Sequence, residues 1–451
     1  MDRFQAYVES HRDRFLEELK AFCRQPSIST QNVGIAEMAE LVKSHLARLG
    51  AQVRFLETGG PPAVFAEIGK GARTLLFYNH YDVQPPDPLD EWHSPPFEPT
   101  IRDGKIYARG VADDKADLMA RLQAVEAWQA VHGELPLRLT FFVEGEEETG
   151  SPHLGALAEK HGHLLKADGC LWESGGKDEG ERVTFHLGLK GDQYLELRCR
   201  GAKSDLHSGS AGLVPNPAWR LVWALGTMKD EHDHITIDGY ADVVRPPTAK
   251  ELAALKRIPF EGEAMRRAWG IDRFINGVDG VDALRVFLYE PTCTISGFRS
   301  GFLEPGQQKT VLPSTAMVKL DLRLVPDLTP EITLRLVREH LDRRGFQDIK
   351  VVSLGALPAA RSPLDAEIVR AAQAAAKTVY GHEPVIYPSH GGSGPMYPIC
   401  QGLGTPGVMA GVVGYPGTNI HAPNENIRVA DYFEGILFLG ELIREFAGQG
   451  V

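Results

Sequence analysis

Thr74-Leu75-Leu76-Phe77-Tyr78-Asn79-His80-Tyr81-Asp82 is the stretch that decides the fold. Its first five residues form an apolar, β-prone run, and His80 and Asp82 follow at the point where the carboxyl end of a parallel strand presents side chains to a crevice. Further short β-rich runs lie upstream at Gln52 to Leu56 and Ala63 to Ile68. Downstream, Leu118, Leu122, Val125 and Trp128 recur at helical spacing before a strand at Leu137 to Val143. Such alternation predicts an α/β layer with a mixed, largely parallel sheet. Two amphipathic helices are predicted before it, from Phe4, Val8, Phe15, Leu19 and Phe22 and from Ile35, Met38, Val42, Leu46 and Leu49, the second stopped by Gly50.

The texture changes near Gln193. Tyr194 to Arg198 reads as a strand and Asn216 to Met228 as a helix. Val318, Leu320, Leu322 and Leu324 then alternate with Lys319, Asp321 and Arg323 as a half-buried strand, followed by a helix carrying Ile332, Leu336, Val337 and Leu341 and a strand through Val352. From Ala366 the α/β pattern resumes, ending in a helix with Ile436, Leu439, Leu442 and Ile443. We therefore expect residues 190–356 to form an α+β two-layer domain inserted into a discontinuous one made of residues 1–189 and 357–451.

A chain of 451 residues exceeds what one core usually organises, which agrees with two domains. The net charge of -12, with no Lys/Arg run, excludes nucleic acid as an expected partner. The first twenty residues carry Asp2, Arg3, Glu9, Arg12, Asp13, Arg14, Glu17 and Glu18, so no signal peptide is expected, and no stretch is apolar enough for a membrane span. Cys23, Cys170, Cys199, Cys293 and Cys400 are odd in number and never form a CxxC pair, so they read as reduced, mostly buried thiols of a cytoplasmic protein.

Four clusters could carry chemistry. His80 with Asp82 could be a metal-binding imidazole and the carboxylate that holds its tautomer, although taken alone the pair is more often a surface His beside a turn Asp. Asp113 and Asp114 adjoin before a predicted helix; capping explains one of them, but adjacent carboxylates in a protected site repel unless a cation intervenes. Glu144-Gly145-Glu146-Glu147-Glu148 follows a core strand. In an extended chain Glu147 and Glu148 would point opposite ways, one to a metal and one to a water as general base, where composition alone would give a solvated loop. Glu173 and His421 complete the set, each with an ordinary loop residue as its plain alternative. Nitrogen and oxygen donors without thiolate suit zinc, and also cobalt or manganese, with one carboxylate able to bridge two ions. His161-Gly162-His163 and His232-Asp233-His234 look metal-like, but both are expected in solvated polar connections.

Together Pro26-Ser27-Ile28-Ser29, His80-Tyr81-Asp82, Gly110-Val111-Ala112-Asp113-Asp114-Lys115, Glu146-Glu147-Glu148-Thr149-Gly150-Ser151, Ser204-Asp205-Leu206-His207-Ser208-Gly209 and His421 form a specific series. In these motifs the chain resembles the zinc-dependent aminoacylase, carboxypeptidase and dipeptidase family that includes carnosinase, glutamate carboxypeptidase and succinyl-diaminopimelate desuccinylase. Its Glu304-Pro305-Gly306, Lys309-Thr310-Val311-Leu312-Pro313 and Arg323-Leu324-Val325-Pro326 resemble the carnosinase-like dipeptidases in particular. The resemblance implies a zinc-exopeptidase-like catalytic domain and two divalent ions, Zn2+ first, with Mn2+ or Co2+ as alternatives. It implies that Asp113 bridges the ions, that His80 and Glu173 hold one of them, and that Glu148 and His421 hold the other. Glu147 would be the general base acting on the bridging water and Asp82 the support for His80. The Asp113–Asp114 peptide bond is often cis in such proteins. The inserted domain would be a lid and homodimer contact, with His207 reaching the partner subunit's site to stabilise the oxyanion. Arg323 would clamp a substrate carboxylate, with Asn216, Gly392 and Ser393 as further substrate contacts.

Three departures bear on specificity: Glu173 stands where the dipeptidase branch tends to have Asp, Ser389 where carnosinase-like members carry Arg, and Ala116 where glycine is usual. The expected function is a two-metal hydrolase of dipeptides or small peptides. An N-acyl amino acid deacylase or carboxypeptidase is the alternative within the family, and a non-catalytic metal-binding protein the alternative outside it. A serine mechanism and a phosphate loop lack their motifs.

Overall fold

The computed structural model describes residues 2–448, and the chain divides into two compact units. The first runs up to Gly188, adds Arg361–Pro388 and continues from Pro395. Among the described residues its sheet has the strand order Gln52–Leu56, Ala63–Ile68, Arg138–Glu144, Thr74–His80, Gly169–Trp172, Gly407–Met409, Val183–His186 and Val385–Tyr387, with Gly176–Lys177 pairing off this path. The fold is α/β with a mixed sheet, as the alternation predicted. Parallel pairing governs the part that matters for function: Thr74–His80 lies between Arg138–Glu144 and Gly169–Trp172, parallel to both, with Phe77 opposite Phe141 and Leu171. Three strands therefore end at one edge, where their following residues converge.

Apolar runs make these strands because both faces are covered. Leu75, Phe77, Leu139, Phe141 and Leu171 share a core with helices Ala116–His132, Glu367–Tyr380 and Val429–Phe446. Tyr78 stacks on Trp172 with ring centroids 3.5 Å apart. The structure corrects two sequence expectations. The strand beginning at Thr74 extends to His80, which pairs with Glu144 in the ladder. The first helical set is two helices, Asp2–Ser10 and Arg12–Arg24, broken at His11, so that three helices open the chain.

The second unit comprises Leu189–Ala360 and Ser389–Gly394. Its sheet has the order Thr294–Ser300, Thr315–Leu324, Gly188–Arg200 and Lys350–Leu357, antiparallel throughout this path, with His390–Ser393 pairing in parallel with Gly188–Arg200. The alternation read at Val318 to Leu324 is realised: Val318, Leu320, Leu322 and Leu324 are buried beside Leu221 of helix Pro217–Leu225 and Leu336, Val337 and Leu341 of helix Pro330–Arg343. Thr329 caps the latter by accepting from the Ile332 amide, and Pro330 supplies the preset first turn. All five cysteines are buried and free.

Candidate metal centre

Each prospective ligand is delivered by a strand end or a loop of the first unit. His80 closes its strand, and Glu173 follows Gly169–Trp172. Glu147 and Glu148 follow Arg138–Glu144, in a 3-10 turn rather than the extended chain expected from sequence. Asp82 explains the turn, since its two carboxylate oxygens accept the Glu147 amide at 3.2 Å and the Glu148 amide at 3.1 Å. Gly145 permits it, because a Cβ there would lie 2.2 Å from the Tyr81 ring. Asp113 and Asp114 are joined by a cis peptide bond ahead of helix Ala116–His132. His421 comes from a loop and holds φ at 60°.

These chain segments bring one carboxylate between two imidazoles. Asp113 Oδ1 lies 2.9 Å from His80 Nε2 and Asp113 Oδ2 lies 3.1 Å from His421 Nε2. His421 Nε2 is also 3.0 Å from Glu148 Oε2, and His80 Nε2 is 3.6 Å from Glu173 Oε2. On its other side the His80 ring places Nδ1 3.0 Å from the Asp82 carbonyl oxygen and 3.4 Å from Asp82 Oδ1, which fixes the ring's orientation. Gln84 donates its backbone and side-chain N–H groups to Glu148. His80, Asp113 and Glu148 offer ligand atoms within 4.8 Å of one another, and so do His80, Asp114 and Glu173.

The electrostatics fit divalent cations. Burial pushes Glu147 up to about 7, and Asp113, Glu148 and Asp82 push the same way against His80. Burial likewise holds Glu173 well above the usual carboxylate range, with His80 opposing it and Glu147, Asp114 and Asp113 adding to it. Burial would raise Asp113 too, but the His421 and His80 imidazoles outweigh it and hold that carboxyl below its ordinary range. The same Asp113 contact and that to Glu148 raise His421 to about 10. A buried acidic cluster of this kind calls for positive charge. Glu173 Oε2 and Asp114 Oδ1 are buried without a hydrogen-bond partner, the signature of oxygens built for a ligand other than N–H. Two imidazoles with several carboxylates and no thiolate suit zinc, manganese or cobalt chemistry.

Sequence reasoning missed the frame behind these groups. Arg121 is 1% exposed and donates to the carbonyls of Tyr78 (2.5 Å) and Trp172 (2.7 Å) and to Asn79 Oδ1 (2.7 Å), tying together the ends of two ligand-bearing strands. Asn79 Nδ2 in turn holds Asp114 Oδ2 at 2.5 Å. A charged residue inside the apolar pattern Leu118 to Val125 was the available signal. Glu425, the other buried organiser, had none.

The remaining expected residues lie in the second unit. His207 is exposed and its Nδ1 accepts from the Gly209 amide. Asn216 caps helix Pro217–Leu225 by accepting from the Ala218 amide at 2.8 Å. Arg323 Nη1 donates to Ser393 Oγ at 2.7 Å, and Nη2 to Asp321 Oδ2 at 3.2 Å. The Gly392 amide donates to His390 Nδ1 at 3.0 Å. Of the two decoy pairs, His232 and His234 are exposed, whereas His161 and His163 sit on helix Leu154–Leu165 rather than in a connection, because Leu154, Leu157 and Leu165 bury its other face.

Fold and site together define a metal-dependent hydrolase. Residues 76–445 match the family described as Peptidase family M20/M25/M40, and the chain belongs to it. It is 31% identical to the Beta-Ala-His dipeptidase of Homo sapiens, over 98% of this chain and 92% of that protein. Among solved structures it resembles the M20 family metallo-carboxypeptidase Sso-CP2 from Sulfolobus solfataricus, with 37% identity, a TM-score of 0.89 and coverage of 96% of this chain and 99% of that one. The di-peptidase Dug1p from Saccharomyces cerevisiae matches with 26% identity and a TM-score of 0.81, over 99% of this chain and 98% of that one.

Proposed function

We propose that this protein is a metallo-dipeptidase that hydrolyses the amide bond of dipeptides or small peptides bearing a free carboxylate. The observation that carries the reading is Asp113, gripped from opposite oxygens by His80 and His421, with Glu148 beside His421 and Glu173 beside His80. Asp113 would bridge two divalent ions, His80 and Glu173 would hold one, and Glu148 and His421 the other, with Zn2+ preferred over Mn2+ or Co2+. When bound, such ions lower the pKa of water and polarise a carbonyl.

The chain's own residues supply the proton transfers and the orientation. Glu147 takes the proton of the attacking water on a carboxylate oxygen and delivers it to the leaving amine. Asp82 keeps Glu147 and Glu148 in register through their two amides while orienting His80. Residues 190–356 would act as a lid and homodimer contact, and His207 would steady the oxyanion in the partner subunit's site. Arg323, with Asn216, Gly392 and Ser393, would receive the substrate's carboxylate end, the guanidinium offering parallel donors. Five free, buried thiols favour a reducing compartment, and we place the protein in the cytoplasm. Among the described residues no helix is long and apolar enough to cross a membrane.

A carboxypeptidase or N-acyl amino acid deacylase is the second reading, favoured by Glu173 in place of the dipeptidase branch's Asp and by the likeness to Sso-CP2. Dipeptides, N-acetyl amino acids and N-blocked peptides, each assayed with zinc, manganese and cobalt, separate the two. A dipeptidase requires the free amine; turnover of the blocked substrates at equal rates selects the second reading. A metal-loaded sample inert to every amide would leave only a metal-binding role.

A further inference from the structure

Glu425 is a charged side chain that the chemistry above does not use, yet it is 1% exposed and fully engaged. Its Oε2 accepts from Arg109 Nη1 at 2.7 Å and from the Gly110 amide at 2.8 Å. Its Oε1 accepts from the Ala112 amide at 2.8 Å and from the amide of Asp113 itself at 3.2 Å. The Glu425 carbonyl oxygen accepts from the Ala108 amide at 3.1 Å. One residue, four positions beyond His421, thus clamps the whole segment that ends in Asp113.

The energetics say why a carboxylate is there. Three backbone amides converging on one point form an anion cradle, and Arg109, also 1% exposed, balances the charge. The Trp92 ring packs 5.4 Å from that guanidinium. A buried ion pair is weak evidence for stability, because desolvation offsets its attraction; its attested use is to fix register. Here the register that matters is between two loops. His80 and Glu173 leave strands locked into the sheet, whereas His421 sits in the irregular segment between Met409 and Asn426, with its side chain 51% exposed. A ligand on such a loop is placed only as well as its anchor.

We infer that Glu425 is a positioning residue that sets His421 against Asp113, and so governs the affinity of the ion held by Glu148 and His421 more strongly than that of the ion held by His80 and Glu173, which shares only the Asp113 bridge with it. This rests on the proposed division of ligands between the two ions.

The test is calorimetric titration of the metal-free protein with Zn2+, run in parallel on wild type, His421→Ala, Glu425→Gln and Glu425→Asp, with thermal unfolding of each metal-free variant. The Gln amide presents an N–H to donors that need an acceptor, so Glu425→Gln is expected to weaken one binding event about 10- to 100-fold. That event should be the one His421→Ala removes, and the other, which shares only the Asp113 bridge, should weaken clearly less. Glu425→Asp, which keeps the charge, should weaken the same event less, and it carries the test alone if the Gln variant does not fold. Wild-type affinity for both events in the folded variants, or equal weakening of both, overturns the inference. If wild type takes up no ions, or His421→Ala leaves both events intact, the ligand assignment itself is what has failed.

Discussion

Asp113 and His421, separated by 308 positions, meet with Oδ2 and Nε2 3.1 Å apart. The other Asp113 oxygen is claimed by His80. Asp113→Asn replaces one of those oxygens by an amide that cannot accept, so it should lower metal affinity by at least ~10² and activity with it. Metal content after dialysis against a limiting chelator checks this, and full retention of two ions would remove Asp113 as the bridge.

Glu147 is kept apart from ligand duty in the proposal. Glu147→Gln should therefore retain both ions and lose roughly 10² to 10⁴ in kcat. Elemental analysis and turnover on one preparation decide it; near-normal turnover would take Glu147 out of the mechanism.

His207 offers a test of the dimer. His207→Ala alone should cost about 10² to 10³ in rate. Mixing it with Glu147→Gln should restore activity through heterodimers that contain one intact site, provided His207 acts across the subunit boundary. No recovery despite verified subunit exchange would argue that each chain works alone.

His45 predicts a pH dependence of stability distinct from that of activity. Burial, followed by the nearby Arg48, lowers its folded-state pKa to about 4 from the ordinary imidazole value of 6.5. The folded state thus binds fewer protons than the unfolded one between these values. Its contribution is fully present above the unfolded value and disappears as pH falls through the folded one. Urea midpoints at about pH 7.5 and about pH 5 should drop less in His45→Gln than in wild type; equal drops would mean that His45 is not titrating differently on folding.

The strand beginning at Thr74, the half-buried strand through Leu324 and the helix Val429–Phe446 were all legible in the sequence, because burial on one or both faces leaves a periodic record. The break at His11 was not, since Phe4 to Phe22 keep one buried face on either side of it and the spacing hides the interruption. The 3-10 turn at Glu147–Thr149 was equally hidden, for it depends on Asp82, a residue more than sixty positions away, accepting both amides.

From the order of its residues alone came the chemistry's ingredients: imidazoles and carboxylates at strand ends, no thiolate pair, and an acidic chain that repels polyanions. Those follow from local properties, which side-chain type and spacing carry. Which oxygen faces which imidazole, and that Arg121 and Glu425 hold the frame from behind, was decided by tertiary structure. Hydrogen bonds between distant segments have no period and no composition, so only the folded chain reveals them.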